Sequence, residues 1–328
     1  MAEWLYEAGI GEERAILVEH GAILAARVSW GEAVRAGLVA DARLIAKPAG
    51  ARRGLARLTD GSEVLVDALP REATEGDTLC LRIVRAALAE RGRTKRAQAR
   101  HDPDATPGPA PSLLDELRAG PPPVRQVRIE GADFADHGWD ELAEQAQSSE
   151  IAFAGGSLTI SPTPAMTLID VDGYGSPAAL ALAAAPAIAA ALRRLDLGGS
   201  VGIDFPSLAE KRERQAVDAA LGEALEGWRG ERTAMNGFGF VQLVSRLERP
   251  SLVARYARRN EAQARILLRQ GERVGEPGTL LLTAPPAVRR AVLPDWQDEL
   301  VRRTGRRIVW REDATLAPEA AFAQAVAS

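Results

Sequence analysis

The sequence predicts an α/β protein with a small β-barrel inserted near its start and a small α/β region at its end. Short β runs between residues 37 and 88, separated by PAG, DG and EGD turns, are typical of a barrel of the oligonucleotide-binding type. A strand, a long alanine-rich helix and a second strand follow one another between residues 167 and 204, which predicts a right-handed crossover with parallel strands. The length of 328 residues is sufficient for about two or three modest domains.

The composition and charge of the chain exclude some classes of protein and some kinds of site. The formal net charge of -4 argues against a protein that simply coats nucleic acid. The single cysteine, Cys80, excludes an internal disulfide and a zinc site built from several cysteines, and it fits a reducing compartment. The opening MAEWLYEAG lacks a basic stretch followed by an apolar one, so we expect no signal peptide and a cytoplasmic location.

The first half of the chain alternates strands with turns. WLYEAGI and RAILVEHGAILAARV predict strands, the second of them bent at a His-Gly turn, before the barrel. Residues 101–123 carry seven prolines, which predicts a linker around the short helix SLLDELRA. A strand at VRQVRIEG and a helix at WDELAEQAQ follow.

Residues 177–192 form the one candidate membrane span. The stretch is somewhat short of the roughly 20 residues that a span needs, alanine dominates it, and a proline interrupts it. We therefore expect a buried or half-buried helix and no membrane partner.

Two acids follow the strands of the crossover. Asp170 and Asp204 each lie at the carboxyl end of a strand, and neighbouring strands are about 4.8 Å apart. Both carboxylates would meet where open α/β sheets bind ligands, with Asp172 beside them. Such oxygen ligands suit Mg²⁺ or Mn²⁺, although an aspartate after a strand can also merely cap the next element.

The remaining elements surround this pair. A helix is expected after Asp204, with an apolar stripe at Leu208, Ala216, Ala220 and Leu221. RTAMNGFGFVQLVSR predicts a hairpin with an Asn-Gly turn. In the last 60 residues we expect a strand at TLLLTA, a helix near 287–293 and a strand at RRIVWRED.

Arginine is concentrated in two places. Residues 246–269 contain seven arginines against two acids, and a second cluster comprises Arg91, Arg93, Lys95, Arg96 and Arg100. Either cluster could follow the phosphates of a nucleic acid, or form a solvated helix face.

Three ordered segments resemble the ribonuclease E/G family. The first resembles the family's glycine pair, strand, Thr-x-Ala and Ile-Asp-Ile-Asn. The second resembles its Leu-Arg-x-Leu-Gly-Gly, Ile-Asp-Phe and Arg-x-x-x-Val segment, and the third its Phe-Gly-Leu-x-Glu-x-Ser-Arg-x-x-x-x-Pro-Ser-Leu. In this chain the segments read GGSLTISPTPAMTLIDVDG, LRRLDLGGSVGIDFPSLAEKRERQAV and GFGFVQLVSRLERPSL, over residues 155–252. Residues 37–100 are similar, more weakly, to the family's inserted S1 domain.

The resemblance implies a Mg²⁺-dependent endonuclease of single-stranded RNA that leaves 5′-phosphate and 3′-hydroxyl ends. It implies an RNase H-like catalytic core, and the chain then divides into 1–34 (first strands of the core), 35–100 (S1/OB-like barrel), 101–123 (linker), 124–260 (core) and 261–328 (C-terminal region). The family's two metal-ligand aspartates fall on Asp170 and Asp204, and its supporting asparagine falls on Asp172. All three are predicted catalytic residues.

Side chains near these acids are candidates for RNA contacts. The predicted contacts are Lys211, Arg212, Arg214, Arg246, Phe238, Arg93, Lys95 and Arg96. For Lys211 and Arg214 a solvated surface charge is the competing interpretation. Phe205 and Phe240 also flank the predicted site, where a role in the core is the competing interpretation.

The chain also departs from the family pattern. GYGSPA replaces the arginine-bearing loop after the first aspartate, and the zinc-linking cysteine pair is missing. The region of the 5′-monophosphate sensor is shortened to about residues 101–150. We therefore expect no zinc, any homodimer to form without a zinc link, and weak or no 5′-end sensing. These departures leave an RNA-binding scaffold with little catalytic activity as the alternative, while no phosphate-cradling glycine loop supports a metabolic phosphatase or transferase.

Overall fold

The computed structural model describes residues 1–90, 93–129, 131 and 133–327, with the backbone alone for Glu90 and Arg93. Contacts divide the chain into two compact units. Unit 1 comprises residues 1–31, 117–148 and 252–328, and unit 2 comprises residues 32–116 and 149–251.

The strands are short and lie along the whole chain. They are β1 (Glu3–Gly9), β2 (Glu12–Glu19), β3 (Ala22–Ser29), β4 (Val39–Ala46), β5 (Arg53–Leu58), β6 (Glu63–Asp67), β7 (Thr78–Arg85), β8 (Leu88–Glu90), β9 (Arg93–Lys95), β10 (Ala97–His101), β11 (Val124–Gln126), β12 (Glu150–Phe153), β13 (Gly156–Pro162), β14 (Thr167–Gly173), β15 (Ser200–Asp204), β16 (Gly230–Arg232), β17 (Phe240–Ser245), β18 (Thr279–Ala284), β19 (Ile308–Glu312) and β20 (Phe322–Val326).

Most of the helices lie in the second half of the chain. They are α1 (Leu113–Arg118), α2 (Asp133–Asp136), α3 (Trp139–Ser148), α4 (Pro177–Arg194), α5 (Lys211–Ala224), α6 (Leu252–Tyr256), α7 (Arg259–Arg273), α8 (Pro286–Ala291) and α9 (Pro294–Thr304), with a 3-10 turn at Pro318–Ala320.

Unit 1 contains two small sheets. The order of the first is β11-β1-β2-β3, and its β2–β3 hairpin turns at His20 and Gly21, both with positive φ. The predicted His-Gly turn is confirmed. The second sheet has the order β19-β18-β20, and its core joins strand leucines such as Leu280 and Leu282 to Leu267 and Leu268 of α7.

A closed barrel of five strands, in the order β10-β6-β5-β4-β7, forms one part of unit 2. Alternate residues point inward, so Leu44, Val64, Leu81 and Ile83 are almost completely buried. A side chain at Gly54 would come within 2.6 Å of the Ala46 carbonyl oxygen, beside a register shift in β4, so this bend of the barrel requires glycine. The predicted small barrel is confirmed and is consistent with an OB-like insertion; its assignment as an S1 domain stays a prediction.

A six-stranded sheet forms the other part of unit 2, in the order β12-β13-β14-β15-β17-β16. Helix α4 connects β14 to β15, which pair in parallel, so the predicted strand–helix–strand crossover with parallel strands is confirmed, while its right-handed sense stays a prediction. Val217 and Leu221 of α5 are also buried.

Helix α4 is the one helix of the described part that is long and apolar enough to cross a membrane by length and composition. Eight of its residues are buried in the fold: Leu180, Ala181, Ala184, Ala185, Ile188, Ala189, Ala191 and Leu192. It contacts α5 and the strands β12, β13 and β14. These contacts favour the predicted core helix.

Some predicted details were wrong or incomplete. In α5, Ala216 is exposed and Val217 occupies the buried stripe, because Val217 lies four residues before Leu221 on the same helix face. Helix α9 and strand β20 were not predicted. Contacts place β1–β3 in the same unit as residues 252–328, and place the six-stranded sheet in the unit of the barrel. The assignment of residues 1–34 and 124–260 to one RNase H-like core stays a prediction.

Candidate active site

The register of two parallel strands brings Asp170 and Asp204 together. Asp170 of β14 is paired directly with Asp204 of β15, so their Cα atoms lie about 4.8 Å apart. On each strand the preceding isoleucine, Ile169 or Ile203, is fully buried while the aspartate is exposed. The alternation of a half-buried strand therefore anchors one face in the core and presents both carboxyls on the open face.

Asp172 adds a third carboxyl to this face, two residues beyond Asp170 on β14. Partial burial, then the charge of Asp172 and that of Asp204, raise the pKa of Asp170, and a hydrogen bond with the Asp172 side chain acts in the same direction. The carboxyls therefore form a local excess of negative charge. We call Asp170, Asp172 and Asp204 the acidic edge.

The acidic edge can offer oxygen ligands to a cation. Within the described ranges, no group of three or more His, Cys, Asp or Glu side chains is arranged to hold a metal ion. The two register-paired carboxylates nevertheless have the donor chemistry that hard divalent cations prefer. Such an ion would need further oxygen donors from water or a phosphate.

The predicted aromatic residues fall into different environments. Phe205, which follows Asp204, is buried, and Phe240, the register partner of Asp204 on β17, is partly buried. Phe238 is 85% exposed. Sequence reasoning missed Tyr174, which is 91% exposed just after β14. Its position between two glycines was the available signal.

The cations at the start of α5 differ in their partners. Lys211 and Arg212 are exposed, and Arg212 pairs with Glu210 at 2.5 Å. Arg214 donates hydrogen bonds to the carbonyl oxygens of Leu208 (2.6 Å) and Ala209 (3.2 Å). Arg214 thus holds the segment before its own helix, whereas Lys211 and Arg212 face solvent.

Arg246 is exposed but lies away from the acidic edge. Strand β17 runs antiparallel to β15, with Phe240 opposite Asp204 and Val244 opposite Ser200. Arg246 follows this strand at its far end, where its carbonyl oxygen approaches Gly198. Six residues of strand correspond to roughly 20 Å, so the sheet does not bring Arg246 and the acidic edge together.

The predicted barrel cations are partly neutralised. Lys95 and Arg96 are exposed, and Arg96 pairs with Glu63 at 3.1 Å. Glu63 also accepts from Arg57, and these arginines lower the pKa of Glu63. The side chains of Arg91 and Arg93 lie outside the described residues.

Most arginines of residues 246–269 have partners within the fold, and Arg255, Arg265 and Arg269 are buried, so a solvated helix face was the wrong interpretation for these three. In unit 2, Arg249 pairs with Glu116 at 2.7 Å. In unit 1, Arg265 stacks on Trp30 and Trp296, and Arg269 pairs with Glu7. The remaining pairs in unit 1 are Arg255 with Trp30, Arg258 with Glu261, and Arg259 with Glu319.

A cavity of about 1030 Å³ lies within unit 1, apart from the predicted site residues. It is lined by both acids and arginines, and several of these pair with one another: Arg125 with Asp133, and Arg303 with Glu272. Four arginines (Arg125, Arg128, Arg303 and Arg306) line it against two acids, Asp133 and Glu272, so the balance of its charged side chains is positive, opposite to that of the acidic edge.

Comparison with known proteins places the acidic edge within a family region. Residues 121–246 match the model of the Ribonuclease E/G family, and this range includes Asp170, Asp172, Asp204 and Phe238. The barrel strands β4–β7 and the segment from α6 onward lie outside the matched range. No curated protein matches the chain.

Proposed function

We propose that this chain, which belongs to the ribonuclease E/G family through residues 121–246, is an endoribonuclease that hydrolyses phosphodiester bonds of single-stranded RNA. The family match supports a ribonuclease and an RNA substrate. The finer proposal is that cleavage depends on a divalent cation and leaves 5′-phosphate and 3′-hydroxyl ends.

One observation carries the proposal: Asp170 and Asp204 are paired in register on an exposed face inside the family region. Folding alone gives no reason to place like charges opposite each other, because carboxylates directly across neighbouring strands repel. Partial burial and its acidic neighbours raise the pKa of Asp170, which records the unfavourable contact. A cation at this position would relieve it.

The donor set fits Mg²⁺, with Mn²⁺ as a chemically similar substitute, and Asp170 and Asp204 would hold the ion. A divalent ion supplies charge neutralisation at a phosphate and acidifies a water molecule. Asp170 must release any proton it shares with Asp172 before it can act as a ligand.

The remaining side chains position RNA around the acidic edge. Lys211 and Arg212 begin helix α5, seven and eight residues after Asp204, and both are available to phosphates from solvent. Phe238 presents an aromatic face beside the register partner of Asp204. Arg214 contributes by holding the Leu208–Ala209 carbonyls. Arg246 follows the end of β17 that is opposite to Phe240, and we assign it no contact at the acidic edge.

Cleavage of a labelled single-stranded RNA in Mg²⁺ tests this proposal against the Asp170→Asn/Asp204→Asn variant. We expect the double substitution to reduce the cleavage rate on the order of 1,000-fold or more, because charge stabilisation at the phosphate is lost. Glu231→Gln is a matched control, since it removes an exposed carboxylate from β16 of the same sheet. Equal cleavage by the parent and the double variant would refute the assignment of the acidic edge.

The second candidate function is an RNA-binding scaffold with little catalytic activity. It is favoured by the acid at position 172 and by the cation-free loop GYGSPA. RNA binding by the parent protein without cleavage in Mg²⁺ or Mn²⁺ would support the scaffold. Cleavage products that carry 5′-phosphates, detected by end labelling, would exclude the scaffold function.

A further inference from the structure

Exposed aromatic side chains occur at one place in this protein. The sequence contains 15 aromatic residues, and all of them fall within the described ranges. Thirteen are buried or partly buried, while Tyr174 and Phe238 are 91% and 85% exposed. Large aromatic rings gain free energy by leaving water, so two nearly free rings call for a reason other than folding.

The topology places both rings beyond the same end of the six-stranded sheet. Tyr174 follows β14, whose Asp170 is paired with Asp204. Phe238 precedes β17, whose Phe240 is the partner of Asp204 on the other side. Strands β14 and β17 are the two neighbours of β15, so the two rings lie on either side of the strand end that carries Asp204.

The backbone under each ring is held in place. The Tyr174 amide donates to the Gly155 carbonyl oxygen at 3.0 Å. The Phe238 amide donates to Asn236 Oδ1 at 2.9 Å, and the Phe240 amide donates to the same oxygen at 3.0 Å. The backbone that carries each ring is therefore held by hydrogen bonds, while the faces of the ring are exposed to solvent. This lowers the entropy cost of stacking a partner on the ring.

We infer that Tyr174 and Phe238 form a pair of stacking platforms that bind two unpaired RNA bases on either side of the phosphate at the acidic edge. This inference rests on the proposed function and specifies its substrate. Aromatic stacking tolerates any base but requires that the base be unstacked and accessible, which excludes a continuous duplex. Negative charge at the acidic edge repels a phosphate chain, so base stacking supplies attraction that does not depend on charge.

Affinity for single-stranded RNA tests the pair. Binding is measured by fluorescence anisotropy in the Asp170→Asn/Asp204→Asn background, where no cleavage is expected. Tyr174→Leu and Phe238→Leu should each weaken binding about 5-fold or more, because stacking on one ring is worth at least about 1 kcal/mol per base. The affinity of the double leucine variant for single-stranded RNA should fall about 25-fold if the two platforms act independently.

Matched variants separate stacking from other effects. Tyr174→Phe keeps the ring and should bind RNA within about twofold of the parent, whereas Leu182→Ala removes an exposed apolar side chain from α4 and should leave binding unchanged. The fluorescence of a 2-aminopurine base in the RNA should be quenched on binding to the Asp170→Asn/Asp204→Asn parent, and less so on binding to its leucine variants. A duplex of the same sequence should bind more weakly and respond little to either leucine substitution.

Several results would overturn the inference. The first is that the leucine variants bind single-stranded RNA as tightly as their parent; the second is that the parent does not bind it. Loss of self-association in the leucine variants, with RNA affinity intact, would instead assign the rings to a protein contact. If the protein does not cleave RNA but its RNA binding still depends on the two rings, only the proposed nuclease activity is refuted. If the protein cleaves RNA but its RNA binding does not depend on the rings, only the stacking platforms are refuted.

Discussion

Two clusters of charged residues, one in each unit, are built in opposite ways. In unit 1, Glu7 and Arg14 are almost completely buried, and Arg14 donates to both Glu7 oxygens at 3.2 and 3.1 Å. Arg269 pairs with Glu7 at 3.1 Å and with Glu12 at 3.0 Å. In unit 2 the carboxyls of the acidic edge are exposed and meet one another.

The buried cluster shows what folding requires of charge. Burial lowers the pKa of Arg14 to about 10, helped by Arg269 and opposed by Glu7 and Glu12. The Arg14 guanidinium also lies over the rings of Phe134 (4.3 Å) and Trp139 (4.6 Å). Charges that leave water are therefore matched by ion pairs, hydrogen bonds and aromatic faces. The acidic edge lacks such matching within the fold, and the proposed cation would supply it.

Removing one partner of the buried cluster should have the largest effect on stability. Glu7→Gln leaves Arg14 and Arg269 without their shared carboxylate, and we expect the free energy of unfolding of unit 1 to fall by about 3–5 kcal/mol. Five of the six tryptophans belong to unit 1, so tryptophan fluorescence in a urea titration reports this unit.

The control for Glu7 is Glu3→Gln, which removes an acid from the same strand. Glu3 and its partner Arg125 are 41% and 49% exposed, so the expected change is at most about 0.5 kcal/mol. Equal effects of the two substitutions would show that the buried cluster contributes no more than a surface pair.

A smaller effect should distinguish two cations near the acidic edge. Arg214→Ala removes hydrogen bonds to the Leu208 and Ala209 carbonyls and should cost about 1.5 kcal/mol of stability in unit 2. Arg212→Ala should leave stability within about 0.5 kcal/mol but reduce the salt dependence of RNA binding by about one phosphate contact. Circular dichroism measures the change in stability, and fluorescence anisotropy at several salt concentrations measures the change in RNA binding. If Arg214→Ala, and not Arg212→Ala, reduced the salt dependence of binding, Arg214 would contact RNA.

The smallest effect concerns the acidic edge itself in the absence of divalent ions. Because the folded state raises the pKa of Asp170, its contribution to stability is present below the ordinary pKa and is lost as pH rises through the folded value. Asp172→Asn removes one cause of the raised pKa and should stabilise the protein at pH 7, but not at pH 3, by less than about 1 kcal/mol. Thermal unfolding at both pH values in EDTA measures the difference, and a loss of stability at pH 7 would contradict the expected repulsion.

The site could be predicted where local rules were sufficient. Two-residue periodicity and the parallel pairing expected of a strand–helix–strand unit placed Asp170 beside Asp204, and turn residues predicted the barrel. The burial of Arg269 could not be read from its own segment, because its partners Glu7 and Glu12 lie at the other end of the chain. Arg246 was misleading for a similar reason: its motif is near the site in sequence, but an antiparallel strand carries it to the far end.

The position of β15 between β14 and β17 also determines when the acidic edge can exist during protein synthesis. The barrel strands are made before β14 and β15, and a growing chain that ends before Asp204 carries Asp170 and Asp172 without β15 to oppose them. Because β15 also pairs with β17, its other side is covered only after Ser245 has emerged. The barrel sequence is therefore complete on the ribosome well before the acidic edge, so the barrel can close while Asp170 still lacks its register partner Asp204.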